Sequence, residues 1–494
     1  MKLQPVGYKA LLQRFNLDIV PNWHSSFIAI GSHTHRIEKD GKYIKEIYPQ
    51  KYQIEDKTVN HLEFALKYDG INLSIIELIF QKIDKAELIE YIVSKPTSKY
   101  SRKIWFLYEF LTKKTLPIDD LKVGNYIELL DSKKYYTLPL PKKIKRQRID
   151  DNLLGGNTFC PIVRKSDKLK VYEDENLSQK SKKLINKYPD TLLKRAMSYL
   201  YTKETKSSFE IEKITPSTSR IEKFISLLKD AQKDDFCTKE SLVLLQNRIV
   251  DDRFRDSDYR KNQNYIGESY HLGAEKVHYI SPKPEDLETL MNGLIKVHER
   301  LKDAKELAVV HATVIAYGFV YLHPFEDGNG RIHRFLLHNI LAMEDFTPKE
   351  IIFPLSAVML KNQRLYDSSL EDFSIKLLQF IDYELDEDGK MKVLNNTKHL
   401  YKSIDMTTQV ESVFEFISKT IDDELSNELE FIVSYDKSKK SIQEIVDMPD
   451  RLIDLFIRFV LQNGGKLSSA KREKYFDFLS DDEIDNLLKC IVKR

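Results

Sequence analysis

Cysteine is scarce in this 494-residue sequence: Cys160, Cys237 and Cys490 are the only three, and no two form a Cys-x-x-Cys pair. A disulfide framework is thereby excluded, and a reducing compartment fits. An excess of one charge sign is also missing. Lys plus Arg number 78 against 76 Asp plus Glu, a net charge of +2, so no whole-chain field draws the protein to nucleic acid or lipid. No unbroken run of eighteen apolar residues occurs, and the opening stretch MKLQPVGYKALLQRF has no apolar signal core. These absences predict a cytoplasmic protein with no membrane partner. Internal repeats and low-complexity tracts are lacking too. What is present is 41% apolar and 31% charged residues of both signs, enough for an ample core and two to four packed units.

The pattern changes along the chain. THRIEKDGKYIKEIYP alternates around Asp40-Gly41 and predicts a hairpin. His33 and His35 would share one face of its first strand, but no third metal ligand lies nearby, so they read as surface histidines. From about residue 60, LEFALKYDG, SIIELIFQKI, KAELIEYIVS and SRKIWFLYEFLTKK carry helical apolar spacing. Residues 141–168 read as a connecting segment: PKKIKRQR is a basic, solvated run and LLGGNTFCP is rich in turn formers. Helical periodicity resumes near residue 180 and lasts to about 390. GAEKVHYISPKP interrupts it with β-formers and proline, which predicts a short hairpin. Residues 400–494 are helical again. They end in a helix, an Asn-Gly-Gly turn, the KLSSAKREKYF helix and SDDEIDNLLKCI behind a Ser-Asp cap, which suggests a small helical or winged-helix-like module.

One stretch carries chemistry. HPFEDGNGRIHR (323–334) lies between LAVVHATVIAYGFVYL, apolar all round and so a core helix, and RIHRFLLHNILAM, a second apolar-rich helix. Pro324 ends the first helix. Gly328 and Gly330 can take φ > 0 and bring bare backbone to a ligand. The helix that follows aims unpaired N–H groups at the same spot, an anion nest. Arg331 and Arg334 share one helix face and complement a polyphosphate. Asp327 offers a hard oxygen for magnesium, Asn329 a further polar contact, and His323 a group that exchanges a proton near neutrality. Two other readings stay open at this point. The glycines would serve a plain helix–turn–helix, or His323, Asp327 and His333 would hold a hydrolytic metal. The first leaves the converging charges unexplained. The second lacks a third ligand at suitable spacing, because Pro324 breaks the helix.

HPFEDGNGRIHR resembles, at every defined position, the signature of the Fic (filamentation-induced-by-cAMP) family: His-x-Phe-x-acid-Gly-Asn-Gly-Arg-x-x-Arg. The upstream segment DYRKNQNYIGESYHLGAEKVHYISPKPEDLETLMNGL is similar to the one that carries the family's flap. The resemblance implies a mainly α fold: a Fic-type helical core with a short β-hairpin flap, a small β-containing N-terminal region and a helical or winged-helix-like C-terminal module. It implies transfer of AMP from ATP, with Mg²⁺, to a Ser, Thr or Tyr hydroxyl of a target protein. His323 would be the general base, Asp327 the Mg²⁺ ligand, and Gly328, Asn329 and Gly330 the anion hole. Arg331 and Arg334 would hold the outer phosphates, and Phe325 would pack inward. Val277, His278, Tyr279 and Ile280 would form the flap strand that docks an extended target by β-augmentation. Expected regions are 1–170 (accessory), 171–230 (linker and inhibitory helix), 231–390 (Fic core) and 391–494 (C-terminal module).

The resemblance also implies an internal brake, a helix with Ser/Thr-x-x-x-Glu followed by Gly or Asn. SSFEIEK supplies Ser208 and Glu212, and TSRIEK supplies Thr218 and Glu222. Glu212 is preferred because its helix should end just before Thr215-Pro216. Glu222 instead reads as first-turn charge behind a Ser217 or Thr218 cap. Glu212 would compete with the γ-phosphate for Arg334, and Lys213 stands where Gly or Asn is expected. Self-modification and a homodimer are further expectations. Removal of AMP or transfer of another group at the same site is one alternative. The other is a nucleotide-sensing regulator that meets DNA through its C-terminal module.

Overall fold

Four strands and five helices build the N-terminal region of the structure, a computed structural model that describes residues 2–269 and 275–491. Strands β1 (Leu3–Val6), β2 (His24–Ala29), β3 (Arg36–Asp40) and β4 (Tyr43–Pro49) form one sheet in the order β1-β2-β4-β3. The Asp40-Gly41 turn closes the β3–β4 hairpin, with Asp40 opposite Tyr43 and Gly41 at φ 56°. His33 and His35 precede β3 and are exposed, and His35 Nε2 lies 2.7 Å from Glu46 Oε1. The helices are α1 (Tyr8–Arg14), α2 (Thr58–Phe64), α3 (Leu73–Lys82), α4 (Lys85–Ser94) and α5 (Lys99–Thr112). Asn72 and Asp84 cap α3 and α4 by accepting hydrogen bonds from first-turn N–H groups.

Residues 141–168 are not a connecting segment. Strands β5 (Ile127–Glu128), β6 (Lys142–Ile144) and β7 (Ile149–Asp151) form a small sheet ordered β5-β7-β6. The basic run is solvated in its lysines and anchored in its second half: Lys142, Lys143 and Lys145 are exposed, whereas Arg146 meets Glu109 at 3.1 Å and the Arg102 guanidinium donates to the Gln147 carbonyl at 2.8 Å. Beyond it, Leu153, Leu154, Phe159 and Cys160 are buried. Phe159 fills space left by two glycines of the core helices. A Cβ on Gly293 would come within 2.7 Å of Phe159 Cβ, and one on Gly318 within 3.1 Å of Phe159 Cζ.

The middle of the chain is helical: α6 (Asp167–Glu175), α7 (Leu177–Ile185), α8 (Asp190–Ile211), α9 (Thr218–Asp230) and α10 (Lys239–Ile249). The hairpin β8 (Tyr265–Ser269) and β9 (Glu275–Ile280) follows, antiparallel, with a register irregularity at Ile266/Gly267. Then come α11 (Pro284–Leu301), α12 (Ala308–Leu322), α13 (Asn329–Met343), α14 (Leu355–Lys361), α15 (Gln363–Leu378), the hairpin β10 (Tyr383–Leu385) and β11 (Met391–Val393), α16 (Lys398–Lys402) and α17 (Thr407–Lys419). Every residue of α12 is buried, as its all-round apolar composition demands. Lys305–Leu322 is long and apolar enough to cross a membrane by composition, and it lies inside the protein core. A buried relay ties neighbouring core elements together. Asp235 meets His298 at 3.1 Å, His298 meets His311 at 3.0 Å, and His311 meets Glu344 at 3.0 Å.

The chain divides into two packed units, each made of several segments. The first comprises residues 1–174, 222–346 and 362–414; the second comprises 175–221, 347–361 and 415–494. The N-terminal region joins the first unit because contacts such as Arg300 to the Gly155 carbonyl (2.7 Å) and Ile162 N–H to the Ile404 carbonyl (2.9 Å) bind it to the core helices. The second unit adds α18 (Ser426–Ile445), α19 (Asp450–Gln462), α20 (Ser469–Tyr475) and α21 (Asp481–Cys490). Ile453, Phe456, Ile457 and Val460 recur at i, i+3, i+4 and i+7 on α19 and share a cluster with Leu487 and Ile442. Ser480 and Glu483 form a capping box on α21. This module is helical: residues 394–491 contain no strand among the described residues.

Candidate active site

The loop between α12 and α13 begins at His323, which caps α12 in the left-handed conformation at φ 50°. Such a backbone is uncommon for a side chain other than Gly, and the surroundings hold it. Arg260, buried and drawn down to about 10 by desolvation, is the principal clamp. Its Nε donates to the His323 carbonyl at 2.8 Å, its Nη2 to the Pro282 carbonyl at 2.6 Å, and its backbone N–H to the Pro324 carbonyl at 2.8 Å. One side chain therefore joins the loop to the end of the β8–β9 hairpin.

The state of the His323 ring follows from its partner. Nδ1 lies 3.2 Å from the Val320 carbonyl. A carbonyl only accepts, so Nδ1 carries the proton and Nε2 keeps a free lone pair. Desolvation holds the imidazole down at about pKa 4, so it is neutral at pH 7, although part of the residue stays exposed. The arrangement gives a proton acceptor at the end of a core helix.

Phe325 is fully buried and packs on Tyr259 and Phe319 at centroid distances of 5.8 and 6.1 Å. Asn329 is buried as well, and its amide makes both hydrogen bonds to Phe325: Oδ1 accepts from the N–H at 3.1 Å, and Nδ2 donates to the carbonyl at 2.8 Å. The side chain is thus committed to holding the loop, and only its backbone N–H remains for an anion. Gly328 is the N-cap of α13 at φ 90°; Gly330 lies inside the helix without positive φ. The two glycines expected to turn together are therefore one turn residue and one helical residue. The first-turn N–H groups of Asn329, Gly330 and Arg331 face outward along the helix axis, as every helix start requires.

The two arginines part company. Arg331 has no exposed surface; its Nη1 donates to the Ile249 carbonyl at 3.3 Å and its Nη2 to Asp327 Oδ1 at 2.8 Å. It anchors α10 to the loop. Arg334 is also buried, with Nη1 3.4 Å from the Tyr366 hydroxyl. Asp327 accepts from Gly328 N–H at 2.6 Å through the same Oδ1 and remains 41% exposed. Its second oxygen is available to a cation. Asp256 nearby has its carboxyl raised by desolvation, with the Asp327 charge adding to the effect. This donor chemistry, hard oxygen beside hard oxygen, fits Mg²⁺. His333 lies in the core edge-to-face on Tyr317 at 4.6 Å, where desolvation lowers it to about 3. Among the described residues, His323, Asp327 and His333 do not come together as a group that could hold a metal ion.

The flap residues split in two. Val277 and His278 are partly exposed, whereas Tyr279 and Ile280 are buried. The Tyr279 hydroxyl donates to the Tyr321 carbonyl, and the Tyr401 hydroxyl donates to the Ile280 carbonyl at 2.5 Å. The strand's second half is thereby fixed to the core beside the loop. Residues 273 and 274 of the stretch read as a hairpin lie outside the described residues. Glu212 is the C-cap of α8 and belongs to the second unit. Glu222 lies a full turn inside α9, which has no acid in its first turn.

A family model described as Fic/DOC matches residues 236–341, the span from the start of α10's approach to the end of α13. Residues 236–341 are a Fic domain. Its Fic segment is 29% identical over 122 residues to a protein adenylyltransferase Fic of Aedes aegypti, covering 24% of this chain and 22% of that one. It is 31% identical over 129 residues to a protein adenylyltransferase Fic of Nematostella vectensis, covering 25% and 27% respectively. The chain thus spans about a quarter of the length of these curated relatives. Among solved structures, a Fic domain containing signaling protein from Bacteroides thetaiotaomicron is similar at 17% identity, covering 53% of this chain and 97% of that one, with a TM-score of 0.38.

Within this Fic domain, sequence reasoning missed three positioning residues. Arg260 is one. Gln246 donates to the Phe254 carbonyl at 2.8 Å and to Asp256 at 3.1 Å, and Asn264 donates to the Phe325 carbonyl at 3.3 Å. Gln246 also donates to the Asp327 carbonyl at 3.4 Å, so each of the three acts on the loop's backbone from about 60 to 80 residues away, and nothing in its local sequence marks it.

Proposed function

We propose that this Fic protein transfers the adenylyl group of ATP to a hydroxyl side chain of a protein. The observation that carries the reading is the neutral His323, its Nδ1–H committed to Val320 and its Nε2 free, beside the Gly328-capped start of α13. In the step proposed, Nε2 takes the proton of a Ser, Thr or Tyr hydroxyl. The oxygen forms a bond to the α-phosphorus, the bond from that phosphorus to the bridging oxygen breaks, and pyrophosphate leaves with the electron pair. First-turn N–H groups of α13 would receive the phosphate oxygens, and Arg334 the outer phosphate. Asp327 would hold Mg²⁺, which when bound neutralises phosphate charge. The partly exposed half of β9, Val277 and His278, would guide an extended target segment.

Regulation by Glu212 belongs to the same reading: a carboxylate at a helix end competing with the γ-phosphate for Arg334. The sequence pattern and the helix terminus at Glu212 support it. The DNA-binding alternative is disfavoured. Arg472 pairs with Asp481, and Lys471 sits over the Phe459 ring at 4.4 Å, so the cations of α20 are already engaged.

The test is incubation with ATP labelled at the α- or the γ-phosphate, Mg²⁺ and a protein extract, followed by mass spectrometry. α-label should move to protein, the chain itself included, and His323→Ala should lower the rate by roughly 10²- to 10⁴-fold. Glu212→Gly should raise it. Transfer of γ-label, or release of AMP from a modified protein without forward transfer, would replace the reading with its alternatives.

A further inference from the structure

A second site lies in the N-terminal region, away from the motif. An open pocket of about 350 Å³ is bounded by α5, by residues 129–135 and by residues 164–170. Eight lysine or arginine side chains line it against a single acid, Asp131. In a chain whose net charge is only +2, this is a strong local concentration of one sign. Tyr68, Tyr100 and Tyr135 form much of the remaining wall. Two cations are steadied on ring faces: Lys67 lies 5.0 Å from the Tyr68 centroid, and Arg164 4.3 Å from the Trp23 centroid.

Lys103 gives the pocket a purpose. It is only 7% exposed, yet its ammonium has no hydrogen bond and no ion pair among the described residues, and it lines this pocket. Burying a cation without a partner is unfavourable: the group either gives up its proton or gains a partner charge, and a bound anion supplies that charge. Desolvation, with the neighbouring Lys99 and Lys134 adding repulsion and Asp131 and Glu128 opposing it, lowers Lys103 to about 8.

We propose that this pocket binds a small ligand bearing an oligophosphate, its phosphates received by Lys103 and the lysines around it. Several point-charge ammoniums converging in a concavity match a compact polyanion better than a single carboxylate. The tyrosine walls leave room for a nucleoside attached to the phosphates. An extended nucleic acid would instead call for a basic stripe along the surface.

The experiment is calorimetry on the full chain carrying Arg334→Ala, so that the α13 phosphate site does not report. Inorganic tripolyphosphate is titrated in one arm and ATP in another. One ligand per chain is expected, weakened at least about tenfold by Lys103→Met and less by Lys99→Gln at the exposed rim. Lys103→Met removes an unpaired buried charge, so it should melt no lower than its parent, which separates lost binding from lost fold. Because Lys103 is only partly protonated near pH 8, binding should take up protons there, seen as a dependence of the heat on the buffer's ionisation enthalpy. Equal affinity in the two arms identifies the phosphate chain alone as the ligand, and tighter ATP binding adds a base on the tyrosines. Absence of binding, or binding unchanged in Lys103→Met, overturns the proposal, as does a short single-stranded oligonucleotide binding more tightly than tripolyphosphate.

Discussion

At the scale of single residues, the site turns on proton positions. His323 works as a base only when neutral, and its pKa of about 4 keeps it neutral well below the ordinary histidine range. The acid limb of kcat/KM should therefore fall near pH 4, not near 6.5; a pH–rate profile falling at 6.5 would contradict the tie to Val320 and the desolvation. Gly328 is the other residue where geometry leaves no choice. It sits at φ 90°, and an added Cβ would lie 2.8 Å from Val250 Cγ1. Gly328→Ala should cost about 1–2 kcal/mol of stability, measured by denaturant titration, and should lower transfer as the start of α13 shifts.

At the scale of elements, the end of α8 explains an oddity in the sequence. Lys213 N–H donates to the Glu210 carbonyl at 2.8 Å, and Ile214 N–H to the Phe209 carbonyl at 3.1 Å. This is a Schellman motif with Lys213 at the left-handed position, φ 57°. Glycine or asparagine is favoured there, which gives a physical reason for the residue type expected after the glutamate. Lys213→Gly should stabilise the helix end by about 1 kcal/mol, seen as a higher melting temperature of the second unit. An unchanged or lower melting temperature would show that the lysine side chain makes up the difference. The same element logic accounts for Arg331: a helix start needs a fixed angle, and a buried guanidinium spanning the Ile249 carbonyl and Asp327 sets it.

At the scale of the molecule, burial keeps several histidines neutral, although His24, held between Asp69 and Glu46, is raised instead. Burial lowers His333 to about 3 and also depresses His311, His61 and His399. The sign follows directly. Above about pH 6.5 these groups are neutral in both folded and unfolded chains and add no pH dependence. Below it the unfolded chain takes up protons that the folded core refuses, so stability falls as pH drops toward the folded values. The melting temperature should decline between pH 7 and pH 5, and less steeply in His333→Phe. A flat profile would mean that these rings reach solvent.

The sequence by itself determined what depends on near neighbours: the all-apolar helix ending at Leu322, the Asp40-Gly41 turn, the cap at Ser480, and the loop that brings histidine, acid and glycine together. Periodicity and turn chemistry act over a few residues, and they are legible there. Tertiary structure alone decided the rest. It put Phe159 into the gap left by Gly293 and Gly318, turning an expected linker into core. It spent Arg331 and the Asn329 amide on holding the loop, and it brought Arg260 from sixty residues away to clamp His323. Each of these is a choice among partners distant in sequence, made because buried polar groups must be satisfied and close-packed space must be filled.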